Sequence, residues 1–161
     1  MYGVPEALEC RVPLPGESVR DVNDWEVAFY SYLFRLGVRI PLHPFCYRFL
    51  TFFGLCPTQL TLNGWVVLLG IVVLSHLSGL PMDMRTLRSF LSLKYKSDSD
   101  YYTASDPNYQ VISDPPSAHK KWKESFFFIR GPIGDVPYQF GAPCKNHCFA
   151  CLFNFCNVFM D

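Results

Sequence analysis

The sequence predicts an α+β domain in which four N-terminal helices, packed around the most apolar of them, are followed by a small antiparallel sheet. Three observations support this class. Apolar residues recur at helical spacing before residue 92, and no charged residue interrupts the 34-residue stretch from Phe49 to Met82. Short β-prone runs bounded by turn residues follow residue 100. A chain of 161 residues suits one core of this kind.

The first two helices are predicted from apolar spacing and end signals. Residues 23–37 carry an apolar stripe made by Trp25, Ala28, Phe29, Tyr32, Leu33 and Leu36. Asn23 suits the N-cap of this helix and Gly37 its end. Pro44 suits the first turn of a second helix, whose phenylalanines fall on one face before Gly54.

The third helix, about residues 58–78, is predicted to be the buried apolar centre, and Gly79 and Pro81 end it. An alternative is that residues 60–80 span a membrane, because 21 residues reach about 31 Å as a helix. Polar residues near both ends of the run favour the buried interpretation. A fourth helix is predicted from the N-cap Asp83 to about Ser92.

The sheet is predicted from three β-prone runs, at residues 101–104, 110–113 and 126–130. The turn signal Asp106-Pro-Asn lies between the first two, so we expect them to form a hairpin. Residues 126–130, Phe-Phe-Phe-Ile-Arg, have the character of a buried strand.

Three regions differ in composition. Residues 1–22 are rich in Pro, Gly and charge without apolar periodicity, so we expect a flexible arm. Residues 23–143 form the predicted domain. Residues 144–161 are a Cys/Phe-rich tail whose composition differs sharply from the rest, and the interpretation that we favour is that it is foreign to the native domain.

Charge and N-terminal composition limit the function classes. Fourteen basic residues balance fourteen acidic ones, so the whole chain lacks the basic excess of a dedicated nucleic-acid binder. The N-terminus has no basic n-region and no apolar h-region, which predicts an intracellular protein without a signal peptide, in the nucleus or the cytoplasm. A membrane location is the alternative if residues 60–80 form a span.

Several short motifs occur in a fixed order: Pro41-Leu-His-Pro-Phe45, Phe53-Gly-Leu, Gln59-Leu, Asn63-Gly-Trp65 and Lys121-Trp-Lys-Glu-Ser-Phe-Phe-Phe128. In order and spacing they resemble the plant putative gypsy-type transposon domain over about residues 25–131. The resemblance implies a retrotransposon-derived protein. None of these motifs is a catalytic signature, so the resemblance implies no nuclease or polymerase activity.

Two clusters are candidate sites. The first, His119 to Lys123, contains Lys120, Lys121, Trp122 and Lys123, and combines ammonium groups with a ring that can stack on a base. The alternative is a solvated helix face with the tryptophan packed inward. The second cluster, in the tail, has the residue types of a zinc site: Cys144, His147, Cys148, Cys151 and Cys156. Its spacing departs from the nucleocapsid knuckle, which favours no metal.

These patterns predict a protein without enzymatic activity and without a cofactor. The acids of residues 98–114 lie in predicted turns, and no nucleophile motif or phosphate-binding loop is present. We expect gag-like protein association, with a second copy or with other proteins encoded by the element. The alternatives are weak nucleic-acid binding through residues 119–123 and a single-pass membrane protein.

Overall fold

The computed structural model describes residues 8–23, 26–96, 100–105 and 120–130. Its helices are α1 (Tyr32–Arg35), α2 (Pro44–Phe53), α3 (Leu62–Ser78) and α4 (Met84–Phe90), and a 3₁₀ turn occupies Pro57–Gln59. Its strands are β1 (Glu9–Arg11), β2 (Glu26–Tyr30), β3 (Leu91–Tyr95), β4 (Tyr101–Ser105) and β5 (Phe126–Arg130). The architecture is α+β with two small antiparallel sheets.

The larger sheet has the strand order β1-β5-β2, so the strand that comes last in the chain lies between the two that come first. Its register places Val27 opposite Ile129 and Phe29 opposite Phe127, while Cys10 faces Ile129 from the other side. The smaller sheet pairs β3 with β4, with Leu91 opposite Ser105. The predicted order of four helices followed by one sheet is therefore wrong.

The first predicted helix, residues 23–37, is replaced by the strand β2 and the four-residue helix α1. All five residues of β2 are buried. A strand covered on both faces loses the alternation of apolar and polar residues, and its apolar run also matches a helical pattern. The partner of β2 lies about a hundred residues away in the chain, so no local pattern contains the pairing.

The predicted single sheet is also corrected. The strand predicted at 101–104 is β4, but its partner is β3, which the sequence assigned to the end of the fourth helix and the residues after it. The strand predicted at 126–130 is β5, which belongs to the other sheet. The run 110–113 lies outside the described residues. Apolar and polar residues alternate in Leu91-Ser-Leu-Lys-Tyr95, which is a strand signal. The predicted fourth helix extended to about Ser92 and therefore covered the start of this strand.

The helices α2 and α4 begin where their end signals placed them, whereas α3 begins at Leu62, after the 3₁₀ turn, rather than at about residue 58. The His43 ring nitrogen Nδ1 accepts a hydrogen bond from the Phe45 backbone N–H at the start of α2. Thr61 caps α3 by accepting from the Gly64 N–H, and Asp83 caps α4 by accepting from the Thr86 N–H. These side chains satisfy backbone donors that have no partner within a helix.

The core lies between the larger sheet and the first half of α3. Trp65 is completely buried, and its indole Nε1 donates a 3.0 Å hydrogen bond to the Pro57 carbonyl. Other fully buried side chains come from the strands, from the four α-helices and from the residue after the 3₁₀ turn, including Phe29, Leu33, Phe49, Leu60, Leu68, Ile71, Leu87, Phe128 and Ile129. Among the described residues, no helix combines the length and apolarity needed to cross a membrane.

Candidate functional sites

The predicted basic and aromatic cluster lies in the turn that precedes β5. The Trp122 ring packs against the Tyr30 ring, with 4.8 Å between the ring centres and an angle of 70° between the planes. Tyr30 is buried, and Trp122 is partly buried against the core. Part of the Trp122 side chain therefore serves packing, which reduces the ring surface that is open to a base.

The lysines of this turn have acidic neighbours. Lys123 Nζ lies 2.5 Å from Asp100 Oδ2, and also 5.2 Å from the centre of the Trp122 ring. Lys121 Nζ lies 3.7 Å from Glu124 Oε1, and Lys120 is exposed. These carboxylates offset part of the charge that a phosphate would meet. Nucleic-acid binding by Lys120, Lys121, Trp122 and Lys123 stays a prediction, and His119 lies outside the described residues.

The zinc-site residue types, Cys144, His147, Cys148, Cys151 and Cys156, all lie outside the described residues. Within the ranges that the structure does describe, no group of three or more His, Cys, Asp or Glu side chains could hold a metal ion. Cys46 is a free thiol buried in the core, where burial raises its pKa to about 12.

An ion-pair network ties the three strands of the larger sheet together. The Arg11 guanidinium donates to both carboxylate oxygens of Glu26, at 3.1 and 3.0 Å, and to Glu17 at 2.7 Å. It also stacks over the Phe128 ring, 4.1 Å from its centre. Arg130 approaches Glu26 from the other side, at 3.5 Å. Hydrogen bonding from Arg11 lowers the pKa of Glu26, whose side chain is only 3% exposed.

The second half of α3 carries an exposed apolar surface, which we call the α3 apolar end. It consists of Val73, Leu74 and Leu77 of the helix and of Leu80 just after its end, whose exposed fractions are 54%, 47%, 76% and 66%. α3 is apolar on nearly every face, but only its first half reaches the core, so the same composition that buries Trp65 leaves these side chains in solvent. Ser75 Oγ donates to the Leu80 carbonyl at 2.6 Å, which fixes the chain after the helix.

A groove of about 390 Å³ lies between the end of α2, α4 and the smaller sheet. Its walls include Phe53, Gln59, Arg88, Leu93 and Tyr101. Arg88 also approaches the exposed Phe52 ring of α2, 5.8 Å from its centre. The groove therefore combines aromatic surface with a guanidinium group.

Charge is distributed unevenly along the chain, and the segment that supplies most of the groove is basic. Residues 31–96 contain one acidic residue, Asp83, and seven basic ones: Arg35, Arg39, Arg48, Arg85, Arg88, Lys94 and Lys96. The zero net charge of the whole chain conceals this excess, because most acids lie before residue 31 or after residue 96. The basic excess is visible when charges are counted by segment, but the zero net charge of the whole chain gives no indication of it.

The fold and these surfaces define a small α+β domain with an exposed apolar helix end and a basic, aromatic groove. Residues 27–95 match the family model described as putative gypsy type transposon. The resemblance to this transposon family is thus confirmed over 27–95, while its extension to about residue 131 and a plant origin stay predictions. No curated protein and no solved structure matches the chain.

Proposed function

We propose that this protein is a non-enzymatic, transposon-derived domain that associates with a second copy of itself through the α3 apolar end. The observation that carries the proposal is the exposure of four large apolar side chains on one short segment, each of them at least 47% exposed. Contiguous apolar surface of this kind on a soluble domain marks an interaction site more often than scattered single residues do.

The geometry of the helix makes these side chains one surface. Within α3, Leu77 lies four residues after Val73 and three after Leu74, whereas Leu80 follows the end of the helix at Ser78. Positions three and four apart lie on the same helix face. The helical part of the stripe, from Val73 to Leu77, runs about 6 Å along the axis at 1.5 Å per residue. The hydrogen bond from Ser75 Oγ to the Leu80 carbonyl holds the chain after the helix beside it.

A second copy suits this surface because the helix is electrically neutral along its length. No charged residue lies between Phe49 and Met82, so a two-fold pairing of α3 with itself brings no like charges together along the stripe. A two-fold interface uses the same patch on both subunits, which a self-complementary apolar stripe satisfies.

The size of the surface sets the expected strength. A patch on the order of 400 Å² is typical of the largest apolar patch on a monomer. Two such patches bury about 800 Å² in total, below the roughly 1,200–2,000 Å² of stable complexes. We therefore expect a weak, concentration-dependent dimer rather than a permanent one.

Sedimentation velocity of the full chain over a range of micromolar concentrations tests the proposal. The variant Leu77→Asp places a charge in the centre of the stripe and is expected to remain monomeric at every concentration. Leu14→Asp is the matched control, because Leu14 is also exposed, at 65%, and lies in the turn after β1. We expect this control to associate as the unmodified chain does.

The exposure of both leucines keeps the fold intact in both variants, which far-UV circular dichroism checks. A chain that is monomeric throughout the concentration range would overturn the proposal and would leave another protein encoded by the element as the partner to seek. Equal loss of association in Leu77→Asp and Leu14→Asp would also overturn it, since charge alone would then explain the effect.

A further inference from the structure

We infer that the groove beside α4 binds single-stranded nucleic acid, with a base stacked on the aromatic pair Tyr95 and Tyr101 and the backbone phosphates held by Arg85 and Arg88. This site shares no residue with the α3 apolar end or with the turn at 120–123, although Lys123 of that turn pairs with Asp100, the residue before Tyr101. It does not depend on self-association.

The electrostatic part of the inference rests on α4. Arg88 lines the groove, and Arg85, three residues earlier, lies on the same side of this helix. Both arginines are exposed. The residues that line the groove include the Arg88 guanidinium and no acid, so the charge of the walls favours an anion, although Asp83 lies close enough to Arg85 to offset part of its charge. Guanidinium groups suit phosphate because they donate two parallel hydrogen bonds.

The aromatic part rests on the register of the smaller sheet. Tyr95 lies directly opposite Tyr101, so both rings project from the same face, with 5.5 Å between their centres. Leu93 lines the groove and shares that face, because it lies two residues before Tyr95. Tyr95 is 58% exposed. The floor of the groove therefore continues outward as an exposed ring on which a base can stack.

Gln59 adds a polar group to the wall of the groove. Its Oε1 accepts a 2.8 Å hydrogen bond from the Cys56 backbone N–H, which fixes the orientation of the amide. The NH₂ group is then the donor that this side chain brings to a carbonyl oxygen of a base or to a phosphate oxygen. The groove volume of about 390 Å³ lies within the usual range of small-ligand sites.

Stacking separates nucleic acid from an acidic polypeptide as the ligand. Either one would use the charges of Arg85 and Arg88, but the side chains of Asp and Glu have no planar ring, whereas every nucleotide offers one to the exposed Tyr95. The paired tyrosines on one face of the sheet therefore favour nucleic acid. An acidic peptide is the outcome that the experiment must distinguish.

Fluorescence anisotropy of a labelled single-stranded oligonucleotide, titrated with the full chain at several salt concentrations, tests the inference. In Arg85→Gln/Arg88→Gln, two phosphate contacts are lost, and the slope of log affinity against log salt should decrease in magnitude by about 1.4. Lys120→Gln/Lys121→Gln is the control, because it removes the same charge from the other basic cluster. We expect its affinity and slope to match those of the unmodified chain.

Tyr95→Ala should weaken binding by about tenfold or more, because a stacked base contributes roughly five- to 150-fold. Tyr95→Phe retains a ring and should bind as the unmodified chain does. Repeating the titration with a labelled poly-glutamate peptide supplies the comparison ligand, for which Tyr95→Ala should change nothing.

Three results would overturn the inference. The first is the absence of salt-dependent binding to the oligonucleotide. The second is an equal loss in the arginine and lysine variants, which would favour the turn at 120–123. The third is an affinity for poly-glutamate equal to that for the oligonucleotide, with no effect of Tyr95→Ala on either. Measuring the Leu77→Asp variant in parallel keeps this test independent of self-association.

Discussion

Replacing Glu26 by glutamine removes one charge from the centre of the ion-pair network and changes almost no volume. The carboxylate accepts two hydrogen bonds from Arg11 and one from the Asn23 backbone N–H at 3.0 Å. A glutamine keeps one acceptor oxygen, but its NH₂ group must then face a guanidinium donor or a backbone N–H. The substitution therefore leaves at least one donor without its acceptor in a site that is 3% exposed.

The expected loss of stability depends on how deeply Glu26 and its partner Arg11 are buried. Breaking a fully buried ion pair costs about 3–5 kcal/mol, whereas exposed pairs contribute about 0–1 kcal/mol. Glu26 is buried, but the Arg11 side chain is 31% exposed, so water can solvate the guanidinium after the change. We expect Glu26→Gln to lower the free energy of unfolding by about 2 kcal/mol. For a chain of this size, that shifts Tm by roughly 4–8 °C.

The pH dependence gives a second, independent readout. Hydrogen bonding from Arg11 lowers the pKa of Glu26 in the folded protein. The stabilisation is therefore fully present above the ordinary glutamate pKa of about 4.3, and it is lost as the pH falls through the folded value. The difference in stability between the unmodified chain and Glu26→Gln should be full at neutral pH and should shrink in acid.

Thermal unfolding followed by circular dichroism at neutral and acidic pH measures both effects. Glu9→Gln is the matched control, because Glu9 also pairs with Arg130, at 3.9 Å, but its side chain is 80% exposed. Its Tm should stay close to that of the unmodified chain. An equal loss in the two variants, or a loss from Glu26→Gln that persists undiminished in acid, would refute the reasoning.

Two further predictions concern the core. Gly64→Ala places a methyl group 2.6 Å from Cδ1 and 2.8 Å from Cγ of the fully buried Leu60, so it should lower stability to urea by about 1–3 kcal/mol despite the better helix propensity of alanine; increased stability would contradict this packing. In native protein, iodoacetamide should modify the exposed Cys10 well before Cys46, because burial raises the pKa of Cys46 to about 12, and peptide mapping by mass spectrometry should show comparable rates only after denaturation. Equal native rates would contradict the burial of Cys46.

The sequence predicted those elements whose ends are marked by capping or helix-breaking residues close by in the chain. Pro44 lies at the start of α2 and Gly54 at its end, and Asp83 caps the start of α4 at the predicted position. The strand at 126–130 was recognisable because three consecutive phenylalanines have strong β propensity. The pairing of these strands was not predictable, because register between distant segments depends on which buried faces fit together.

The candidate sites were likewise predictable only where their residues are neighbours in the sequence. The basic run at 119–123 is visible in the sequence, but its offset by Asp100 depends on a contact across 23 residues. The α3 apolar end was hidden, because the uniform apolarity of the helix does not tell which half the core covers. The groove combines residues from three helical segments and both strands of the smaller sheet, which only the fold brings together.

The central position of β5 has a consequence for synthesis on the ribosome. Neither β1 nor β2 can form its sheet pairing until residue 130 has left the exit tunnel, although β2 is translated about a hundred residues earlier. During that interval, the apolar side chains of Val27 and Phe29 lack their strand partner and are open to chaperones or to other nascent chains. The family-matched residues 27–95 contain β2 except for Glu26 but neither β1 nor β5, so a translation product of those residues alone has no strand to pair with β2 in the larger sheet.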